Sequence, residues 1–483
     1  MSSLLPLVLA ALGAPEDAAP AAFALPEPTE AALRVDAAVS ADELLGHAAY
    51  LADDALGGRF TGTPGADAAA AYLAARLEAL RPHGLEPAGD DGTFLQDVRL
   101  DTVSFERLPE VRLDGEPLVY GPDVELRRGH GVDAELEVLV VADAAAAPAE
   151  PDPTKALYLD LSTAARRDLV EARGEAWEAG WGAVVVKGFT RGRRVVEDAT
   201  RLRRVRSGAP ELVVHGATRD RLAAGEVERL TLSLGGKVSK AHNVVAVLPG
   251  AGRDAGLMGP GLEDRVNPAV VLSAHYDHLR PLPVDPEDPD ADRIFNGADD
   301  DASGVAVVLE VVEAMCLADE RPERDLVVLL ATGEEIGLVG TTFYLDHPAV
   351  PLEHTVLNLN FEMLGRPDEL VGGPGKLWLT GHELTNLGPD LQAAGLDVVR
   401  DPRPSQHFFE RSDNYAFVLK GVVGQTLSSY GLHDDYHRVT DEAGTLDGAH
   451  LEAAARIGVA ATALVLAADV TVAWVEGYRP PRR

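Results

Sequence analysis

Five runs in the second half of the chain are apolar at almost every position: HNVVAVLPG from His242, PAVVLSAHYDH from Pro268, DLVVLLATGEE from Asp325, HTVLNLNFEM from His354 and GVVGQTLSSY from Gly421. A strand with one wet face alternates apolar and polar residues, whereas a run apolar at every position must bury both faces. These runs therefore predict strands of a sheet covered on both sides. A helix-like segment over residues 302–318 separates two of them, and strand followed by helix, repeated, reads as an α/β sandwich.

Upstream, residues 40–80 carry helical periodicity. Ser40 and Glu43 form a capping-box pair at the start of one helix, and residues 65–80 read as a second, amphipathic one. Between them lies GGRFTGTPG, whose glycine spacing fits neither a phosphate-binding loop nor a dinucleotide fingerprint, so it is expected to be a helix connector. From about residue 101 to 240 the texture changes to short β-like runs (ELEVLVVAD, KALYLDL, GAVVVKG, PELVVHG, RLTLSLG) with helical pieces between, which predicts a separate inserted domain. Its Arg-rich stretch, residues 191–206, has no interleaved aromatic residue and reads as a solvated face rather than a nucleic-acid site.

Composition narrows the partners. With 483 residues, two domains plus terminal segments are expected. A formal charge of -35 would repel phosphates, which argues against nucleic acid and against anionic membranes. Cys316 is the one cysteine, so no disulfide within the chain and no thiolate-rich metal site is available. The apolar run from Leu4 to Leu12, followed by Ala22-Phe23-Ala24, reads as a signal peptide or as a disordered leader, since no basic residue precedes it. No later segment has the roughly 18 consecutive apolar residues of a membrane span. No membrane span is expected, and the location expected is secreted or periplasmic, otherwise cytoplasmic.

The chemistry gathers beyond the strand ends, where open α/β sheets place their functional groups. His275, Asp277 and His278 follow the second run, Glu334 and Glu335 the third, Glu362 the fourth, and His433 through His437 the fifth, while Asp299, Asp300 and Asp301 precede the helix-like segment. Carboxylates gathered without cations would raise one another's pKa, a cost that a divalent metal removes. Mixed imidazole nitrogen and carboxylate oxygen suits zinc best, with cobalt or manganese also fitting. Of Glu334 and Glu335, one can bind metal while the other takes a proton from water, and Asp277 is placed to orient His275.

The motifs AHYDHL, NGADDDASG, ATGEEIGLVG, NFEMLGRP, RSDNYAF and HDDYHRVTD together resemble the zinc aminopeptidases of metallopeptidase family twenty-eight, in that family's order and over residues 40–472. The resemblance implies a three-layer sandwich with a mixed, largely parallel central sheet. It also implies two zinc ions. His275 and Glu362 resemble ligands of one, Glu335 and His437 ligands of the other, and Asp300 the carboxylate that bridges them. Glu334 matches the general base, and Tyr436 and Arg411 sit where relatives steady the substrate carbonyl or intermediate. Most relatives carry Asp at the position of Glu362. The middle block resembles the protease-associated domain often inserted in this family. The implied segments are a leader over 1–24, a helical part of the peptidase domain over 25–103, the insertion over 104–238 and the catalytic domain over 239–477.

The activity expected is removal of N-terminal residues from peptides with a free N-terminus. Three alternatives are a carboxypeptidase on the same metal centre, a glutaminyl-cyclase-like acyltransferase, and an inactive transferrin-receptor-like binding protein. His278 reads as site-lining or structural. His433, Asp441, Asp299, Asp301 and Asp413 are expected either to order the surroundings of the cluster or to serve the fold.

Overall fold

A computed structural model describes residues 39–478 and 480, apart from 106, 142–149, 160–178, 189–193, 197–204, 252–266, 283, 285 and 286. The leader and most of the Arg-rich stretch lie outside the described residues. Helix α1 (Ala41–Leu51) starts at Ser40, whose side chain accepts from Glu43 N. Helix α2 (Pro64–Glu78) starts at Thr63, which caps Ala66 N, and has a proline in its first turn, where a missing N–H costs nothing. Strands β1 (Glu86–Pro87) and β2 (Leu95–Ser104) follow.

The chain then builds an eight-stranded sheet from β3 (Glu110–Leu113), β4 (Glu116–Pro117), β5 (Val124–Arg128), β6 (Val132–Val141), β7 (Lys155–Leu159), β8 (Ala183–Lys187), β9 (Glu211–Val214) and β10 (Arg229–Leu234). Its order is β4-β3-β10-β6-β7-β8-β9-β5. The return runs along β11 (Lys237–Leu248), which pairs antiparallel with β2 from Lys237 opposite Ser104 to Val244 opposite Leu95.

The second sheet is completed by β12 (Ala269–His275), helix α3 (Gly304–Leu317), β13 (Asp325–Ala331), helix α4 (Val339–Asp346), β14 (Thr355–Phe361), β15 (Leu377–Leu379), β16 (Val398–Arg400), helix α5 (Asp413–Leu419), β17 (Gly424–Ser428) and helix α6 (Gly448–Leu466). It has nine strands, with the path β1-β11-β13-β12-β14-β17-β15-β16 and β2 alongside β11. Strands β13, β12, β14 and β17 are parallel neighbours, and β11 and β15 run antiparallel to them. This is a mixed α/β sheet in three layers.

Alternation along β12 and β13 explains the layers. Val270, Leu272, Ala274, Leu326, Val328 and Leu330 face one core with α1, α2, α3 and α6. Their neighbours Val271, Val327 and Leu329 face the other, with Tyr344 and Leu345 of α4 and Phe417 of α5. Each such side chain contributes about 1.5–3 kcal/mol relative to exposure. Strand β14 departs from the pattern: its second face carries Asn358 and Asn360, hydrogen-bonded to Ser273 and Ser412, so a polar floor runs under the strand ends.

One expectation is corrected by the fold. Helix α6, 19 residues, is long and apolar enough to cross a membrane by length and composition, although most of it is buried and it packs on α3 and α1. Counting uninterrupted apolar residues hid it. Glu452 and Arg456 interrupt the run, yet they pair one turn apart at 2.9 Å and leave the average apolar.

Candidate metal centre

The carboxyl ends of β12, β13 and β14 open on one edge, and the irregular turn Ala298–Ser303 before α3 enters from beside them. There His275, Asp300 and Glu362 offer ligand atoms within 4.8 Å of one another, and so do His278, Asp300 and Glu335. Asp300 belongs to both groups. Its Oδ1 lies 3.2 Å from His275 Nε2, and its Oδ2 lies 3.2 Å from His437 Nε2. His437 is also 3.3 Å from Glu335. All five side chains expected as metal ligands therefore meet here, together with one that was not counted among them. That residue is His278, expected as site-lining or structural, which is fully buried with Nδ1 2.8 Å from Glu335 Oε1. Neither atom has a hydrogen-bond partner, and the same Glu335 oxygen also faces His437 Nε2. The i, i+3 spacing from His275 was the available signal for it.

Hydrogen bonds hold this arrangement from outside. Asp301 accepts from His275 N at 3.3 Å and from Met363 N at 3.0 Å, tying the ends of β12 and β14 together. Asp441 accepts from Asp299 N and Asp300 N, and Asp299 accepts from Gly365 N at 2.7 Å and faces His433 Nε2 at 2.8 Å. Asp277 differs from its expected part. Its carboxylate is 3.8 Å from His275 Nδ1, outside hydrogen-bond distance, and the ring nitrogen instead meets the Asp277 main-chain oxygen at 3.1 Å. The carboxylate accepts from Thr61 Oγ1 at 2.7 Å and from Glu334 N at 3.1 Å. It thus fixes the turn that carries Glu334.

Burial dominates the electrostatics. It pushes Glu334 well above the usual carboxylate range, with Glu362 and Asp413 adding like charge, and it pushes Glu362 up to about 7. Burial alone would raise Asp300 too, but contacts with His275 and His437 win and hold it well below its ordinary value. The same contacts raise His275, against the effect of its burial. A cation placed among these oxygens would favour the ionised form of each.

A cleft adjoins the cluster. Glu334, Glu335, Glu362 and His437 line it together with an apolar wall of Met363, Trp378, Phe408 and Tyr430. Tyr436 and Arg411 both line it: Tyr436 stacks on His437 with ring centroids 3.9 Å apart, and Arg411 lies over the Phe408 ring.

Residues 243–462 match the sequence pattern of peptidase family M28. Curated relatives include the vacuolar membrane protease of Arthroderma benhamiae, 26% identical over 252 residues, covering 51% of this chain and 24% of that protein. Another is the vacuolar membrane protease of Tuber melanosporum, 33% identical over 211 residues, covering 37% of this chain and 20% of that protein. This chain spans at most about a quarter of the length of these relatives. Among solved structures, the aminopeptidase from Aneurinibacillus sp. strain AM-1 is 19% identical with a TM-score of 0.47, covering 94% of this chain and 100% of that one. A zinc aminopeptidase from Bacillus subtilis is 17% identical with a TM-score of 0.46, covering 89% and 96%. The names of the curated relatives overturn the expectation of a secreted, periplasmic or cytoplasmic protein without a membrane span.

Proposed function

Because residues 243–462 form a peptidase family M28 domain, we propose that the chain is a zinc-dependent aminopeptidase cleaving the first residue from peptides with a free N-terminus. The observation that carries this reading is the pair of donor groups sharing Asp300 beside an apolar cleft, with Glu334 on the cleft wall and in neither group. The donor set fits the metal: imidazole nitrogens and carboxylate oxygens converge, and buried atoms of His278 and Glu335 are left without hydrogen-bond partners. His275, Asp300 and Glu362 would hold one zinc, and Asp300, Glu335 and His437 the other, with His278 beside the second. When bound, zinc would supply Lewis acidity toward the scissile carbonyl and would lower the pKa of the water it binds.

The chain's own residues do the rest. Glu334 accepts the proton of the attacking water and delivers it to the leaving amine. Arg411 and Tyr436 donate to the carbonyl oxygen as it gains charge. The apolar wall of Met363, Trp378 and Phe408 receives the first side chain, and the surplus carboxylates at the cluster attract the ammonium group of a free N-terminus. The eight-stranded unit is read as an inserted protease-associated-like domain that shapes access.

A carboxypeptidase would need cations to receive a terminal carboxylate, and Arg366, Arg403 and Arg411 are the candidates to supply them. Arg366 is committed to Asp435 and Asp441, and Arg403 grips Asp368 bidentately, so of the three only Arg411 lines the cleft. The direct test compares leucine p-nitroanilide with its N-acetylated form and with N-blocked dipeptides, before and after chelation. Turnover of the free amine alone, lost with chelator and restored by zinc, is expected. Turnover of blocked substrates alone, or turnover indifferent to chelator, would contradict the reading.

A further inference from the structure

The segment GGRFTGT, Gly57 to Thr63, reads in the sequence as a helix connector, yet it packs against the loops that carry the metal-ligand cluster. Arg59 is fully buried and adopts a positive φ of 52°. Its guanidinium is spent on main-chain carbonyls: Nε donates to Tyr276 O at 2.7 Å, Nη1 to Asn296 O at 2.6 Å and to Leu51 O, and Nη2 to Gly297 O at 3.0 Å. Tyr276 lies between His275 and Asp277, and Gly297 lies three residues before Asp300. One planar group therefore spans two loops that each bear a donor of the cluster. Two residues on, Thr61 Oγ1 donates to Asp277, whose other oxygen receives Glu334 N. Gly58 makes the approach possible: at φ 75° an added Cβ would stand 2.4 Å from Leu279 O, so only glycine lets the segment lie this close to the loop after β12.

We propose that Arg59 and Thr61 are positioning residues for the metal centre. Arg59 sets the separation between the loop bearing His275 and the loop bearing Asp300, and Thr61 sets, through Asp277, the turn that bears Glu334 and the ligand Glu335. The inference rests on the reading of the cluster as a zinc site. Its physical basis is the shape of the guanidinium. Arginine presents five donors in a rigid plane and can hold four carbonyls at fixed mutual distances, whereas lysine offers three donors at one point. Arg59 also remains a cation: burial lowers its pKa only to about 10, because Asp277, Asp441, Asp300 and Asp301 favour its charge. A fixed positive group thus stands near these carboxylates.

The test uses the full chain and three variants, Thr61→Val, Thr61→Ser and Arg59→Lys. Zinc affinity is measured by competition with a chromophoric chelator, kcat and KM are measured at saturating zinc, and visible absorption is recorded on the cobalt-loaded protein. Partners that orient metal ligands from outside typically change affinity by about 10–100-fold when removed. Thr61→Val should fold, bind zinc at one of its sites about 10-fold more weakly, lower kcat with KM unchanged and shift the cobalt bands, and Thr61→Ser should restore all of these. Arg59→Lys should weaken zinc by more than Thr61→Val does. A folded Thr61→Val with the parent's zinc affinity, kcat and cobalt spectrum overturns the role of Thr61. A folded Arg59→Lys with the parent's affinity and spectrum overturns that of Arg59. If Arg59→Lys fails to fold while Thr61→Val behaves as the parent, the segment serves the fold alone and the inference falls. If the parent chain binds no zinc, the reading beneath it fails instead.

Discussion

Strands β12, β13 and β14 of the nine-stranded sheet and strands β7, β8 and β9 of the eight-stranded sheet are built alike. Each set is parallel and buried at nearly every position, and apart from the polar face of β14 that carries Asn358 and Asn360 the strands are largely apolar on both faces. Val184 and Val186 face one core of the smaller sheet while Ala183 and Val185 face the other, as Val271 and Val270 do in the larger. The two regions part company chiefly at and just past the strand ends. Strand β12 ends on His275 and is followed by Asp277 and His278, and β13 is followed by Glu334 and Glu335. Strand β8 ends on Lys187, and β9 is followed by His215, which stands 3.5 Å from Glu125. Among the described residues, groups of three donors occur only on the nine-stranded sheet. The lesson is that strand burial sets the architecture while the residues just beyond the strands set the chemistry.

That contrast can be broken by substitution. The largest effect is expected at the rich edge, where Glu334→Gln should lower kcat by about 10²–10⁴-fold with zinc content unchanged, because a proton acceptor is removed and no ligand is lost. Glu335→Gln should lose zinc as well as activity. Equal zinc loss in the two variants, measured by elemental analysis, would erase the division of labour between neighbouring residues.

In the smaller sheet the effect should be one of stability. Leu212, fully buried in β9, lies in its core. Leu212→Ala should destabilise by about 2–5 kcal/mol in denaturant melts and leave kcat, KM and zinc content of the folded protein unchanged. A folded Leu212→Ala protein with lost zinc would show that the two regions are not independent.

The smallest effect sharpens the contrast between carboxylates with and without a metal role. Glu310 of α3 is buried away from the cluster, its Oε1 has no partner, and burial, with Glu43 adding like charge, pushes it up to about 7. Its folded pKa exceeds its ordinary value of 4.5, so the stability it contributes is present below that value and lost as pH rises through about 7. Glu310→Gln should raise Tm more at pH 8 than at pH 5, with or without chelator. An equal shift at both values would show that Glu310 is not held protonated.

The α/β sandwich was legible because apolar runs such as VVLSA and LVVLLA admit no other burial. The convergence of His275, Asp300, Glu335, Glu362 and His437 was legible too, since parallel strands deliver their following residues to one edge. What escaped had no side-chain pattern to betray it. Arg59 bonds only main-chain carbonyls, which any sequence supplies. Asp277 stands two residues from His275, yet its carboxylate turns to Thr61 and to Glu334 N, a choice made by the chain's path rather than by spacing. In α6 the pairing of Glu452 with Arg456 masks two charges that a linear count of apolar residues treats as breaks.

The central claim is that two zinc ions share Asp300, one toward His275 and Glu362 and the other toward Glu335 and His437. Anomalous diffraction at the zinc edge from metal-loaded crystals tests it most directly. Two peaks are predicted, one within bonding distance of His275, Asp300 and Glu362, the other of Asp300, Glu335 and His437. A single peak, or a second ion bound by His278 with His437 turned away, would contradict it.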